Sequence, residues 1–279
     1  MKQIKPFLQW AGGKSHLVSL LQTHFPHSIS AYDTYIEPFA GAGAMAINLM
    51  ANGQPFKKMI INDLNNVLMN TYRIIQQQPE KLLEHLVHLK QEYHQLSTME
   101  EKQSYFLKTR NTYNTGSHSQ LLHSALFIFL NKTGFGALYR VNAQNEYNVS
   151  FGNVNKPNIF CKENIMLLHR LLQGVEIYSE DFAGMRKRIN GKVFIYLDPP
   201  YYRDKNTSGF CAYNAQGFNY REHIRLADFC KSLTCDWMLS NADSPFIADL
   251  YKNFNVRKII SKHLIAKNKK VTELLITNY

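Results

Sequence analysis

The chain has 279 residues, of which 32 are Lys or Arg and 21 are Asp or Glu, so its formal net charge is +11. A positive excess of this size favours a polyanionic partner such as nucleic acid, with a chance excess of surface charge as the alternative. The N-terminal residues lack the apolar core of a signal peptide, and the most apolar window, 121–130, is too short to span a bilayer. We therefore expect a soluble, cytoplasmic protein that makes no membrane contact.

The four cysteines argue against a structural zinc site. They are scattered along the chain without the CxxC spacing of zinc ligands: Cys161, Cys211, Cys230 and Cys235. Such a distribution fits reduced thiols in the cytosol. We expect no bound metal ion.

The first quarter of the chain alternates between short apolar runs and helical spacing. Apolar positions at helical spacing follow the turn Gly12-Gly13-Lys14-Ser15, and two short apolar runs end beside a glycine turn and an acid. The pattern predicts helices at 16–25, 44–50 and 65–77, and strands at 35–37 and 58–62. The order strand, glycine turn, helix, strand, acid is typical of a nucleotide-binding βαβ unit.

Between residues 79 and 160 the composition becomes polar and then rich in Asn, Gly and aromatic residues. The pattern predicts a polar helix at 79–110, a stretch of low order at 111–119 and an apolar helix at 121–130. Two short strands are predicted around a turn at 143–145, covering 139–142 and 147–151. This block interrupts the strand–helix alternation and is predicted to be an insertion into one α/β sheet.

Beyond Cys161 the alternation resumes. The predicted helices are 164–172, 220–233 and 245–251, and the predicted strands are 175–179, 193–197, 237–240 and 271–279. A chain of this length suits one α/β core domain that carries an inserted module.

The glycine turn after the first strand is a candidate ligand-binding loop. Gly41 and Gly43 form a G-x-G pair, but Ala46 replaces the third glycine of the dinucleotide fingerprint, and a tight strand–helix connection is the alternative. Asp63 follows Gly43 by 20 residues, where an acid accepts the hydroxyls of a ribose. Its alternative is a helix N-cap. Together these features favour a nucleoside ligand, without distinguishing a nicotinamide dinucleotide from S-adenosylmethionine.

The sequence Asp198-Pro199-Pro200-Tyr201 follows the apolar strand 193–197 and ends it, because proline has no backbone N–H. The exocyclic amine of a base is a poor nucleophile, since its lone pair is delocalised into the ring. A carboxylate and the fixed Pro199 carbonyl can accept its hydrogens and direct the lone pair at an electrophile, while Tyr201 stacks on the base. A proline-rich turn with a helix-capping Asp is the alternative.

Six segments carry a resemblance to a known family. In chain order they are FLQWAGGKSHL, YIEPFAGAG, INDLN, YRVN…NVSFG, DPPYY and VTELLITNY, and over residues 7–279 they resemble the Dam family of DNA adenine-N6 methyltransferases. The resemblance implies an α/β fold, a Rossmann-like S-adenosylmethionine-dependent methyltransferase sheet with an inserted, mostly helical target-recognition domain that carries a β-hairpin. It divides the chain into a first catalytic part on the cofactor side, 1–78, a DNA-binding insertion, 79–160, and a second catalytic part with the DPPY motif, 161–279.

The resemblance also implies S-adenosyl-L-methionine as cofactor. From the residues alone, Trp10 is typical of a core tryptophan and Lys14 of a solvated lysine, whereas the family implies that both contact the cofactor. Glu37 is expected to orient the glycine turn or to meet the methionine ammonium, and Asp181 to flank the adenine or to cap a helix. The expected cofactor-binding residues are Trp10, Lys14, Glu37, Phe39, Gly41, Gly43, Asp63, Asp181, Phe182 and Asp198. The expected catalytic residues are Asp198, Pro199, Pro200 and Tyr201.

DNA reading is assigned to the insertion. Arg140 suits a guanine edge and the nearby asparagines an adenine edge, while Phe135 suits either a wedge behind a flipped base or the core. The family hairpin reads Asn-Val-Pro-Phe/Tyr-Gly-Arg, and here Ser150 and Asn153 replace its proline and arginine, so a GATC target rests on the resemblance alone. The expected DNA-binding residues are Phe135, Leu138, Arg140, Asn142, Asn148, Ser150, Asn153, Lys269 and Lys270. Further candidates for phosphate contacts are Lys132, Lys156, Lys205 and Lys267.

The sequence thus predicts a monomeric, site-specific methyltransferase that transfers a methyl group to N6 of a flipped adenine in double-stranded DNA. N4-cytosine methylation presents a similar amine and is the alternative within the same class. A DNA-binding module with an inactive methyltransferase site is the alternative from another class. No cysteine follows a proline, so the Pro-Cys nucleophile that attacks a cytosine ring is absent from the sequence.

Overall fold

The computed structural model describes residues 6–10, 12–53, 56–203, 217–263 and 269–279. Within these ranges the helices are α1 Val18–Gln22, α2 Ala44–Ala51, α3 Asn66–Gln77, α4 Pro79–Gln95, α5 Met99–Thr115, α6 Gln120–Thr133, α7 Lys162–Leu171, α8 Tyr220–Lys231 and α9 Pro245–Leu250. The strands are β1 Thr34–Glu37, β2 Lys58–Asn62, β3 Glu176–Tyr178, β4 Val193–Leu197, β5 Asp236–Ala242, β6 Asn255–His263 and β7 Lys269–Thr277. Short 3₁₀ turns cover Ile29–Ala31, Phe135–Ala137 and Phe182–Arg188.

The seven strands form one sheet in the order β3-β2-β1-β4-β5-β7-β6. The first five are parallel, and β7 runs antiparallel to both β5 and β6. Ile36 of β1 lies beside Ile60 of β2 and Ile195 of β4. The winding of the chain reverses between β1 and β4, and ligands of open α/β sheets bind at the carboxyl ends of the strands at such a point.

Both faces of the central strands are buried. Side chains alternate between the faces of a strand, so Phe194 and Tyr196 of β4 join one hydrophobic core while Ile195 and Leu197 join the other. A strand buried on both faces is apolar throughout, which is why β4 was recognisable as a continuous apolar run. The predicted α/β sheet is confirmed.

The segment 79–160 packs on the same core as the sheet. Helix α6 is surrounded by α3, α4 and α5, and nine of its residues are buried. Its side chains belong to one continuous cluster with residues of β1 and β4. The N-terminal segment is held to α6 by Asn131, whose carboxamide accepts from the Gln9 N–H at 3.1 Å and donates to the Gln9 carbonyl at 2.9 Å.

The predicted stretch of low order at 111–119 is wrong over its first half, because α5 continues to Thr115 and ends at Gly116, whose φ is 67°. Helix α5 begins in a capping box formed by Thr98 and Glu101, and it buries Tyr113 near its end. Asn and Thr have weak helix propensity, but packing and capping override it here.

The predicted pair of strands in the insertion does not form as regular strands. Two isolated bridges, Gly134 with Phe151 and Val141 with Tyr147, are present instead. The side chain of Asn114 forms hydrogen bonds with both backbone groups of Tyr147. It accepts from the Tyr147 N–H at 2.9 Å and donates to the Tyr147 carbonyl at 3.1 Å. Helix α5 thus supplies bonds that a strand ladder would supply.

Strand β6 was not predicted. It pairs only with β7, at the edge of the sheet. Its sequence, NVRKIISKH, mixes charged and apolar residues without the continuous apolar run of the central strands. An edge strand rich in Lys and Arg is common in natural sheets, because these charges discourage further pairing.

Candidate active site

The glycine turn between β1 and α2 needs glycine at two positions. Gly41 has φ 49° and Gly43 has φ 69°, both in the left-handed region. A Cβ atom on Gly43 would lie 2.5 Å from the Tyr72 hydroxyl, and one on Gly41 would lie 3.1 Å from the Trp10 ring. Trp10 in turn stacks on Tyr139, with 5.5 Å between ring centroids. The turn is therefore packed closely against Trp10 and Tyr72.

Asp63 follows β2 and faces this turn. Its Oδ2 accepts from the Gly41 N–H at 3.0 Å, and its Oδ1 accepts from the Asn65 N–H at 2.9 Å. Burial raises the pKa of Asp63, and these two hydrogen bonds oppose the rise. The N-cap of α3 is Asn65, whose side chain accepts from Leu68. The helix-cap alternative for Asp63 is therefore wrong.

Glu37, the last residue of β1, holds the start of α2. Its Oε2 accepts from the Tyr35 hydroxyl at 2.8 Å and from the Ala46 N–H at 3.0 Å. Burial raises the pKa of Glu37 to about 8, and the charges of Asp198 and Asp63 act in the same direction. This carboxyl therefore ties β1 to the start of the helix that follows the glycine turn, and both of its expected roles stay predictions.

Asp198 lies at the end of β4, between the glycine turn and β5, with its side chain 18% exposed. Its Oδ1 accepts from the Ser240 hydroxyl at 2.7 Å and lies 3.6 Å from Lys14 Nζ. The Ser240 hydroxyl donates its hydrogen bond to Asp198. The Tyr196 hydroxyl, 3.1 Å from the Ser240 hydroxyl, is therefore the donor in the hydrogen bond between these two groups. Burial raises the pKa of Asp198, and Lys14 and Ser240 lower it.

Lys14 and Tyr201 meet at a residue that the sequence analysis missed, Glu273 of β7. Lys14 is buried, not solvated, and its ammonium lies 3.4 Å from Glu273 Oε2 and 3.9 Å from the centre of the Tyr201 ring. The Tyr201 hydroxyl donates to the same Oε2 at 2.6 Å. Glu273 belongs to the segment VTELLITNY, which predicted only a final strand, and Ser240 belongs to none of the six segments. Their positions follow from the sheet, because Ser240 lies on β5 beside the DPPY strand and Glu273 lies on β7, which pairs with β5.

Asp181 caps the 3₁₀ turn that follows β3, accepting from the Ala183 N–H at 2.9 Å. It also pairs with Arg225, which lowers the pKa of the Asp181 carboxyl. Phe182 is buried, and its ring lies 5.4 Å from that of Phe39. The capping role is thus present, and the expected contact of these residues with a cofactor adenine stays a prediction.

The expected DNA-reading residues lie on the segment 135–153. Phe135 is 65% exposed, so core packing, its alternative, is wrong. Arg140 donates from Nε to the Asn148 side-chain oxygen at 2.8 Å and from Nη2 to the Asn148 carbonyl at 3.0 Å. Asn142 accepts from the N–H groups at 144 and 146, so its oxygen is also engaged within the protein.

The other expected DNA contacts are distributed around this segment. Leu138 and Lys132 are partly buried, whereas Ser150, Asn153 and Lys156 are exposed. Lys269 and Lys270 open β7, at the end of the strand that adjoins the active site. Lys205 and Lys267 lie outside the described residues.

Among the described residues no group of three or more His, Cys, Asp or Glu side chains could hold a metal ion. None of the helices in the described ranges is long and apolar enough to cross a membrane.

The comparisons with known proteins cover nearly the whole chain. The sequence model of the D12 class of N6 adenine-specific DNA methyltransferases matches residues 10–265. A type II methyltransferase of Methanocaldococcus jannaschii is 37% identical over 99% of this chain and 100% of its own length. One from Lactococcus lactis is 34% identical over 99% and 96%, and the DNA adenine methylase of Escherichia coli K12 is 28% identical over 99% and 95%. On these matches, the chain belongs to the D12 class of N6 adenine-specific DNA methyltransferases.

Proposed function

We propose that the protein transfers a methyl group from S-adenosylmethionine to N6 of an adenine that has been flipped out of double-stranded DNA. The observation that carries this proposal is the position of Asp198. Its carboxylate lies at the end of β4, adjacent to β1 and its glycine turn, and Tyr201 follows three residues later. A base amine and a nucleoside cofactor can therefore meet at one edge of the sheet.

The residues around the glycine turn fit the cofactor. The turn packs closely on Trp10 at Gly41 and on Tyr72 at Gly43, which fixes its backbone at the carboxyl end of β1, where a nucleoside binds in folds of this kind. Asp63 supplies a carboxylate for ribose hydroxyls at the end of the next strand. Both hydrogen bonds of Glu37 use Oε2. The other oxygen, Oε1, takes part in neither, and it suits the ammonium of the methionine part.

Asp198 and Pro199 have the groups that activate an amine. When bound, S-adenosylmethionine supplies a methyl group that is already activated by its sulfonium. In the described part of the chain, the contacts of Asp198 with Ser240 and Lys14 both use Oδ1, so Oδ2 is left to accept an amine hydrogen. The Pro199 carbonyl accepts the second hydrogen. Catalysis then depends on alignment of the amine and on stabilisation of the charge that develops on nitrogen.

The segment 135–153 supports DNA recognition. The exposed ring of Phe135 suits insertion into the stack that the flipped adenine leaves. Arg140 is held rigidly by Asn148, and a guanidinium fixed in this way suits bidentate contact with a guanine edge. Because the oxygens of Asn142 and Asn148 are engaged within the protein, Arg140 is the stronger candidate for base reading.

The test is transfer of label from S-adenosyl-[methyl-³H]methionine to DNA, followed by nuclease digestion. We expect N6-methyladenine as the labelled product. Labelled N4-methylcytosine would move the protein to the alternative specificity, and no transfer to any duplex would refute methyl transfer. A duplex containing GATC is the first substrate to test, and a set with every single-base change in the site then defines the target.

A further inference from the structure

Glu273 reaches the active site because β7 runs against the parallel strands. It lies opposite Ala242, the last residue of β5, so it stands at the same edge of the sheet as Asp198. Its side chain is 7% exposed. A carboxylate is costly to bury unless it is paired, and here Lys14 and the Tyr201 hydroxyl are its partners.

These contacts fix the plane of the Tyr201 ring. The hydroxyl is anchored on Glu273 Oε2, and the Lys14 ammonium lies over one face of the ring, 3.9 Å from its centre. A cation over an aromatic face is attracted by the electrons of that face. Among the described residues no other aromatic ring packs against Tyr201, and we assign the opposite face of its ring to the base.

The charge of Glu273 also sets the position of Lys14. The ammonium lies 3.4 Å from Glu273 and 3.6 Å from Asp198, so two carboxylates share it. Without the charge of Glu273, Lys14 would be drawn toward Asp198 alone and away from the ring. Asp198 would then form a closer ion pair with Lys14. Its carboxylate would be a weaker acceptor for the hydrogens of the substrate amine.

We propose that Glu273 is a positioning residue for methyl transfer, which through Oε2 holds Tyr201 and Lys14 so that one face of the tyrosine stays ready for the target base. This inference rests on the proposed function. Glu273 itself touches neither the base nor the methyl group, so it acts through Tyr201 and Lys14.

The test uses two substitutions that weaken the same contact, alone and together. In Glu273→Gln the side-chain oxygen can still accept from the Tyr201 hydroxyl but is no longer charged, and in Tyr201→Phe the hydroxyl is missing. Glu273→Gln keeps the shape of the side chain, and Tyr201→Phe keeps the ring. The matched control is Glu176→Gln. It removes a carboxylate that pairs with Lys58 at 2.7 Å and lies on β3, the edge strand farthest from β7 in the order of the sheet. The readouts are kcat, KM for DNA, the cofactor Kd from calorimetry and the pH profile of kcat.

We expect each single substitution to lower kcat about tenfold, equivalent to about 1.4 kcal/mol, with the cofactor Kd changed less than about twofold. The double variant should be no slower than the slower single variant, whereas independent effects would multiply to about a hundredfold. Asp198 must be ionised to accept the amine, and the Glu273 charge contributes to the raised pKa of Asp198. The acid limb of the kcat profile should therefore move to lower pH in Glu273→Gln. Glu176→Gln should keep the wild-type profile.

A wild-type kcat in Glu273→Gln, or multiplying effects in the double variant, overturns the proposal. If circular dichroism shows that Glu273→Gln does not fold, Tyr201→Phe decides alone, and a wild-type kcat in that variant overturns it. Failure of the unchanged protein to methylate DNA is a separate result, which counts against the proposed function.

Discussion

The buried carboxyl of Glu37 predicts that cofactor binding releases a proton. Burial raises the pKa of Glu37 to about 8, so at pH 7 about nine-tenths of the cofactor-free protein carries this proton. An ammonium group binds the ionised carboxylate and not the neutral acid. If the methionine ammonium meets Glu37, binding at pH 7 should release about 0.9 proton from this residue.

Isothermal titration calorimetry in buffers with different ionisation enthalpies measures this release directly. Because Asp63 and Asp198 also have raised pKa values, the informative quantity is the difference between wild type and Glu37→Gln. Gln keeps an acceptor oxygen for Tyr35 and Ala46, so the turn stays supported. The wild-type cofactor Kd should also tighten as pH rises toward about 8, and Glu37→Gln should flatten that slope.

Equal proton release in wild type and Glu37→Gln would refute this reasoning and leave Glu37 with its structural role alone. A second consequence concerns the cofactor-free protein. Since the folded state raises the pKa of Glu37 from 4.5 to about 8, its contribution to the free energy of unfolding is full below about pH 4.5 and is lost as pH rises through about 8. Thermal denaturation of Glu37→Gln should show a weaker loss of stability over this range.

Four further predictions concern single groups of the site. Asp198→Ala should lower turnover by several orders of magnitude in the methylation assay, and retention of more than about a tenth of wild-type turnover, only ~1.4 kcal/mol of barrier, would remove Asp198 from catalysis. Asp63→Ala should weaken cofactor binding by roughly 1.5–3 kcal/mol in calorimetry, with DNA affinity unchanged. Gly43→Ala should impair cofactor binding because its Cβ would lie 2.5 Å from the Tyr72 hydroxyl, and Tyr72→Phe in the same protein should partly restore it. Arg140→Ala should relax specificity at one base pair by about 1–3 kcal/mol, whereas Ala at Lys269 and Lys270 should weaken binding to all DNA sequences; a uniform loss of rate in Arg140→Ala would contradict this division.

The parts of the fold that the sequence predicted well are those whose pattern is local. Strand β4 is one continuous apolar run closed by two prolines, and α2 follows directly from a glycine turn. Segments whose conformation depends on distant partners were mispredicted. Residues 111–115 are helical because Tyr113 packs into the core, and the segment around Tyr147 avoids regular strands because Asn114 bonds its backbone.

The same distinction holds in the site. Asp63 and Asp198 follow strands and stand in recognisable motifs, so the sequence indicated them. Ser240 stands in no such motif, and the segment VTELLITNY around Glu273 predicted a strand but no role for its carboxylate. Their roles depend on which strand lies beside β4 and on the reversed direction of β7. Lys14 is a surface residue by type, and only the presence of two carboxylates explains its burial.

The reversed strand β7 also fixes when the active site can first exist during synthesis. Strands β1, β2 and β4, with the glycine turn and Asp198, are complete before residue 204 is added. Glu273 comes from a strand made about 70 residues later, and β7 must insert between β5 and β6 before its carboxylate can reach Lys14 and Tyr201. A nascent chain can therefore fold the part of the sheet that holds the glycine turn and Asp198 while Tyr201 is still unanchored, so the contacts of Glu273 with Tyr201 and Lys14 form only when β7 has paired.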